Sequence, residues 1–222
     1  MRIGVLGTGV VGQTLGTAWL AGGHEVMLGS RTPDNEAAAA WATGGGDTAT
    51  SGTFLDAATH GEVVVNCTPG EVTLSVLTDI GADVLSGKVL IDVANALDFS
   101  EGFPPTLSIV NVDSLGEGVQ RALPETRVVK ALHTVTAGVM VDPARLDGRH
   151  DLFIAGDDEQ AKRFVRSMLA EFGWSDNDIH DLGGIAAARG TEMYLALWLR
   201  LMTALGSAEF NIHVVRPIGP SE

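Results

Sequence analysis

The chain has 222 residues, 45% of them hydrophobic and 19% charged, with 28 glycines and a net charge of −14. A chain of this length buries roughly 70–75% of its unfolded surface, so one large core forms without covalent staples. The acidic balance argues against nucleic acid as a partner, because that binding rests on Lys and Arg neutralising phosphates, and the single cysteine, Cys67, excludes an intrachain disulfide and a cysteine-rich metal site.

In chain order, Ile3–Leu6 reads as a first strand and Val10–Ala21 as a helix stopped by Gly22-Gly23. Glu25–Leu28 is a second strand, and Asn35–Thr43 an alanine-rich helix ending in Gly44-Gly45-Gly46. Val63–Cys67 is a continuous apolar strand, Glu71–Ile80 a helix and Lys88–Val93 another buried strand. Ser114–Ala122 follows as a helix, then Arg127–Leu132 and Leu152–Ala155 as strands. Asp158–Phe172 is amphipathic, with Ala161, Phe164, Val165, Met168, Leu169 and Phe172 on one face, and Ile179–Leu182 is a last short strand. Strands apolar on both faces that alternate with helices predict an α/β fold: a doubly wound parallel sheet, the Rossmann fold, over residues 1–182.

The remainder, 183–222, is expected to be a helical segment that completes the substrate pocket. Ile185–Leu205 reads as one helix apolar almost all round, and such a helix is buried on every side. One chain of this size can hardly surround it, so a dimer interface is expected there. The tail from Phe210 to Val215 either closes over a pocket or packs on its own sheet. Met193–Leu205 carries Arg200 and falls short of the ~20 apolar residues of a membrane span, so no membrane association is expected. The run Ile3–Gly9 is too short and too glycine-rich for a signal peptide, and with a lone cysteine this fits the cytoplasm.

Gly7-Thr8-Gly9-Val10-Val11-Gly12 is G-x-G-x-x-G between a strand and a helix, the context in which that pattern binds a dinucleotide. Gly7 permits the tight turn, Gly9 lets a pyrophosphate approach the backbone, and Gly12 lets helix and strand pack closely. The N–H groups around Val10 and Val11 would face the phosphates. An NAD site places an acidic residue ~20 residues beyond the glycines, whereas an arginine there accommodates a 2′-phosphate. Ser30 and Arg31 stand at that distance, and the nearest carboxylate, Asp34, lies past a proline. The pattern therefore asks for NADP(H).

Thr68-Pro69-Gly70 and Asn95 follow two buried strands at the carboxyl edge. The first can cover the middle of a dinucleotide and the second can reach its nicotinamide ribose; ordinary loops are the alternative. His133, at the next edge, is a candidate general acid or base, or else a structural, hydrogen-bonded histidine. The other histidines show no metal-ligand spacing, so no metal is expected.

The chain resembles the NADPH-dependent coenzyme F420 reductases, also called F420H2:NADP oxidoreductases. The resemblance is carried by Ile3–Gly9, Gly23-His24-Glu25-Val26, Gly29-Ser30-Arg31, Ala131-Leu132-His133-Thr134 and Ala155-Gly156-Asp157-Asp158, in an order that runs over roughly residues 1 to 213. It implies a small homodimeric enzyme that transfers a hydride between NADP(H) and the deazaflavin ring of coenzyme F420, a small-molecule redox co-substrate. It further implies that Thr8, Ser30 and Arg31 bind the NADP phosphates and that backbone around Val135 and Ala137 holds the nicotinamide carboxamide. Two other readings share the cofactor: a reductase of another acceptor (an imine, a flavin or a ferric chelate), and a non-catalytic NADP(H) sensor.

Overall fold

The structure, a computed structural model, describes residues 1–217. Its first half runs β1 (Arg2–Leu6), α1 (Val10–Ala21), β2 (Glu25–Ser30), α2 (Glu36–Gly45), β3 (Ala49–Thr53), α3 (Phe54–His60), β4 (Val63–Asn66), α4 (Gly70–Ile80), α5 (Ala82–Leu85) and β5 (Val89–Asp92). There follow β6 (Leu97–Asp98), β7 (Thr106–Leu107), α6 (Leu115–Ala122), β8 (Arg127–Lys130), α7 (Ala137–Val141), β9 (Leu152–Ile154), α8 (Glu159–Glu171), β10 (Ile179–Asp181) and α9 (Ala188–Leu205).

The main sheet has six strands in the order β3-β2-β1-β4-β5-β8, each pair parallel. Chain order reverses between β1 and β4, and ligands of open α/β sheets bind beyond the carboxyl ends of the strands at such a point. The strands are buried on both faces because helices cover both. Val63 and Val65 join Leu15, Trp19, Val165 and Met168 on one side, while Val64 joins Leu77, Leu115 and Val119 on the other. Gly4 lets α3 lie directly on β1, since a Cβ there would come within 2.0 Å of the Ala57 carbonyl oxygen.

Several helix starts, though not all, carry side-chain caps. Asn35 accepts from the Ala38 amide at 2.9 Å, Asp158 from Ala161 at 2.7 Å, and Thr53 and Asp56 form a reciprocal capping box. The strand expected to reach Leu132 ends at Lys130, and Leu132 takes a positive φ of 65° as the chain turns. Features outside the sequence reading include the β3–α3 unit, the short α5, the antiparallel pair β6–β7 and α7.

The last helix differs from expectation. Its buried residues Ala188, Thr191, Glu192, Leu195 and Leu199 form one stripe, which packs on α6 and β7. Leu197 and Leu205 are 54% and 60% exposed, so within one chain the helix is covered on one side only. Gly206, left-handed at φ 65°, ends it. The tail then stacks Phe210 on Trp198, at 5.3 Å between ring centroids, and is tied to the start of β9 by Asp151 N–H donating to Ile212 O at 2.8 Å. Residues 213–216 go on to wall a cleft of about 690 Å³ with Arg149, Asp151 and His180, so the tail both packs beside β9 and borders a cavity. Residues 218–222 of the expected C-terminal segment lie outside the described residues. Among the described residues, no helix is long and apolar enough to cross a membrane.

Candidate active site

The glycine turn occupies the reversal point between β1 and β4. Gly7 sits at φ 125°, and a Cβ there would meet the Cys67 carbonyl oxygen at 2.7 Å. At Gly12 a Cβ would fall 2.2 Å from Gly7 O, so helix and strand approach only because it is glycine. Gly9 is different: nothing lies within 4 Å of a Cβ built there, so its face is open. Gly9 caps α1 without a side-chain partner, and Gln13 Nε2 braces the turn by donating to Thr8 O at 2.7 Å. The first N–H groups of α1, at Val10 and Val11, have no intrahelical acceptor and no acidic residue in the first turn to offset them. Such a start attracts an anion.

Arg31 leaves the end of β2 into a cleft of about 320 Å³ between the Thr53–Leu55 start of α3 and the Val72–Ile80 face of α4. Its guanidinium makes no ion pair among the described residues. Ser30, by contrast, is buried, and its hydroxyl donates to Thr32 O. The two residues therefore present different things: Arg31 an available fork, Ser30 a hydroxyl turned into its own loop.

A second cleft, of about 280 Å³, opens beside the glycine turn and brings together Val11, Cys67, Thr68, Pro69 and Asn95, with Phe99 at its rim. Thr68 adds little polarity to it, because its hydroxyl donates to Asn66 Oδ1 at 2.7 Å and lies 2.9 Å from Thr73 Oγ1. Burial pushes the Cys67 thiol up, and the charge of Asp92 adds to this, so it stays protonated. Asn95 donates to His133 O at 2.9 Å, while its own Oδ1 has no partner.

His133 is 3% exposed, and neither ring nitrogen has a hydrogen-bond partner among the described residues; the same holds for Thr134 Oγ1. Burial, and then the charge of Lys130, holds the His133 pKa well below 6.5, so the imidazole is neutral near pH 7. A neutral ring offers one donor and one acceptor, not a cation. Val135 and Ala137 are not part of the second cleft. They enter α7, which packs against α1, and the Ala137 N–H belongs to a helix start. Among the described residues, no group of three or more His, Cys, Asp or Glu is arranged to hold a metal ion.

Beneath this edge lies a charge cluster that sequence reasoning missed. Lys130 Nζ is 2.9 Å from Asp92 Oδ2 and 3.0 Å from Glu192 Oε1, and it also donates to Ala94 O. Asp92 and Lys130 are fully buried, and Glu192 nearly so. Burial alone would lower the lysine's pKa, but the two carboxylates outweigh it and raise it. Glu192 also accepts the Leu115 and Gly116 amides at 2.8 and 3.0 Å, capping α6. The signal was present: Asp92 and Lys130 interrupt two apolar runs and are register partners in adjacent strands.

Residues 2–96 match the sequence family described as NADP oxidoreductase, coenzyme F420-dependent. Nearly the whole chain is similar to a solved structure from Arthrobacter sp. FB24, provisionally assigned as an F420-dependent NADP-reductase. Identity is 45%, coverage is 97% of this chain and 100% of that one, and the TM-score is 0.91. The F420-dependent NADP reductase of Methanocaldococcus jannaschii is 35% identical over 113 residues, 50% of this chain and 49% of that protein. The metalloreductase STEAP3 of Rattus norvegicus is 29% identical over 201 residues, 90% of this chain but 37% of STEAP3. The chain thus spans half or less of the length of these two curated relatives. Matched by the family over its glycine turn and first strands, and by a relative of the same kind from end to end, it belongs to the coenzyme F420-dependent NADP oxidoreductases.

Proposed function

We propose that this protein is an NADPH-dependent oxidoreductase that transfers a hydride between NADP(H) and the deazaflavin coenzyme F420. The observation that carries the reading is Arg31: a guanidinium with no ion pair among the described residues, at the end of β2 beside a glycine turn, where an NAD enzyme would hold a carboxylate. Family membership supports the same cofactor and names the second substrate.

The residues fit the cofactor. The open face of Gly9 and the start of α1 (Gly7, Thr8, Val10, Val11, Gly12) suit a pyrophosphate. Arg31 takes the 2′-phosphate, and Ser30 joins it once its hydroxyl turns from Thr32 O. Thr68 and Pro69 wall the middle of the dinucleotide and Asn95 meets the nicotinamide ribose. Val135 and Ala137 offer backbone groups to the carboxamide. When bound, the nicotinamide supplies the hydride. The chain orients it, excludes water and leaves His133 as a buried neutral ring that moves no proton, since direct transfer between two carbons depends chiefly on proximity.

In this reading residues 1–182 hold the nucleotide, and 183–222 complete the acceptor pocket and the interface of a cytoplasmic homodimer. The exposed apolar side of α9, with Leu197 and Leu205, supports the interface. The experiment is to mix protein, NADPH and F420, and to follow both absorbance bands in both directions. Tight NADPH binding with no change in the F420 spectrum would refute the acceptor. The similarity to a metalloreductase over 90% of the chain favours a second reading, a reductase of another acceptor; turnover with a flavin or a ferric chelate, and not with F420, would establish it.

A further inference from the structure

The Asp92–Lys130–Glu192 cluster touches neither cleft, yet it grips the backbone that enters one of them. Ala94 is held at both of its main-chain groups: its N–H donates to Asp92 Oδ1 at 3.2 Å, and its carbonyl accepts from Lys130 Nζ. The next residue is Asn95, which lines the second cleft and donates to His133 O across the gap between β5 and β8. Asn66, at the end of β4, completes the clamp by donating to Asp92 Oδ1 at 2.8 Å. The ends of three neighbouring strands are therefore tied to one ammonium group, which α9 holds from behind through Glu192.

Buried ion pairs are poor stabilisers: an apolar side chain of similar volume often serves as well or better. Stability alone thus gives a weak reason for a lysine here. Fixing a carbonyl and an amide of one residue gives a stronger one, because a displacement on the order of 1 Å at a reacting site can cost ~100-fold in rate.

We propose that Lys130 is a positioning residue: by clamping Ala94 it sets the Asn95 ledge against which the nicotinamide half of the dinucleotide rests. This rests on the nucleotide reading given above. It predicts a split between the two halves of the ligand, because Arg31 stands on β2, which β1 separates from the clamped strands β4, β5 and β8.

The test compares affinity for NADPH with affinity for adenosine 2′,5′-bisphosphate, which carries the 2′-phosphate but no nicotinamide. In Lys130→Met, the Kd for NADPH should rise at least about tenfold, the scale of one lost charge-assisted hydrogen bond. The Kd for the bisphosphate should stay within about twofold. Because Lys130→Met leaves two carboxylates facing each other, the double variant Lys130→Met with Glu192→Gln is measured beside it. It removes the excess charge and still lacks the Ala94 tether, so it should show the same split. Equal losses for both ligands, or none for either, would overturn the proposal, as would failure of both variants to fold, which would make Lys130 a folding residue. If the wild-type protein binds neither ligand, the nucleotide reading itself falls, and that result is distinguishable from the others.

Discussion

At the scale of residues, the proposed reading rests the choice of nucleotide on Arg31. Arg31→Ala should weaken NADPH binding about 10- to 150-fold and leave NADH nearly untouched, since a bond to a charged phosphate contributes ~1.5–3 kcal/mol. The contact is remote from the hydride, so the loss should appear in KM more than in kcat. Arg31→Asp should move preference further toward NADH, and steady-state kinetics with both nucleotides would show it; equal losses would make the arginine structural. His133 is a separate case. As a buried neutral ring that moves no proton it should give a loss under about tenfold in His133→Ala, whereas a general acid or base contributes ~10²–10⁴-fold. The glycines and Arg31 were legible because their chemistry is local: a backbone position without a Cβ, and a charge at the end of a strand. The orientation of the Ser30 hydroxyl was not legible, because it depends on a loop carbonyl at Thr32. Nor was the histidine's isolation, which depends on packing from distant strands.

At the scale of elements, the proposed dimer rests on α9. The buried stripe of α9 faces α6 and β7 within its own chain, and Leu197 stands on the other side. Leu197→Glu should convert a dimer seen by sedimentation at micromolar concentration into a monomer. The monomer should stay folded, because Leu197 is exposed within its own chain, but its melting temperature should fall as the stabilisation from subunit association is lost. A monomeric wild type would refute the interface. The parallel strands were readable as runs such as Val63–Asn66, buried on both faces. Ala49–Thr53 escaped because it is an edge strand of small and polar residues, paired only with β2. The helix was read as apolar all round, yet the chain buries Thr191 and Glu192 and exposes Leu197. Hydropathy cannot foresee a carboxylate drawn inward by a lysine on another element.

For the whole molecule, buried ionisable groups set the response to acid. Folded His133 resists a proton that the unfolded chain accepts near pH 6.5. Its stabilisation is complete above that pH and falls as pH drops from there toward the lowered folded value, by at most about 1.4 kcal/mol per pH unit. Asp151 acts further down. Burial would raise its pKa, but the Val214 amide, His213 and His180 outweigh this and lower it from 3.8. Its contribution is present above the unfolded value and lost as pH falls through the lowered one. Urea midpoints should therefore decline below about pH 6.5, and His133→Gln should flatten the upper part of that decline. An unchanged slope would mean that the folded histidine takes up the proton.

Glu192 also has a meaning in time. It is made 62 residues after Lys130, the lysine it faces, and closes α6 from outside that helix's own sequence. As the chain leaves the ribosome, all six strands of the main sheet precede it, yet the first amides of α6 and one side of the ammonium must wait for α9. A fragment ending before α9 should therefore show a parallel sheet by circular dichroism but fast amide exchange in α6. The part of the fold that holds the main sheet is thus completed by a helix made after it.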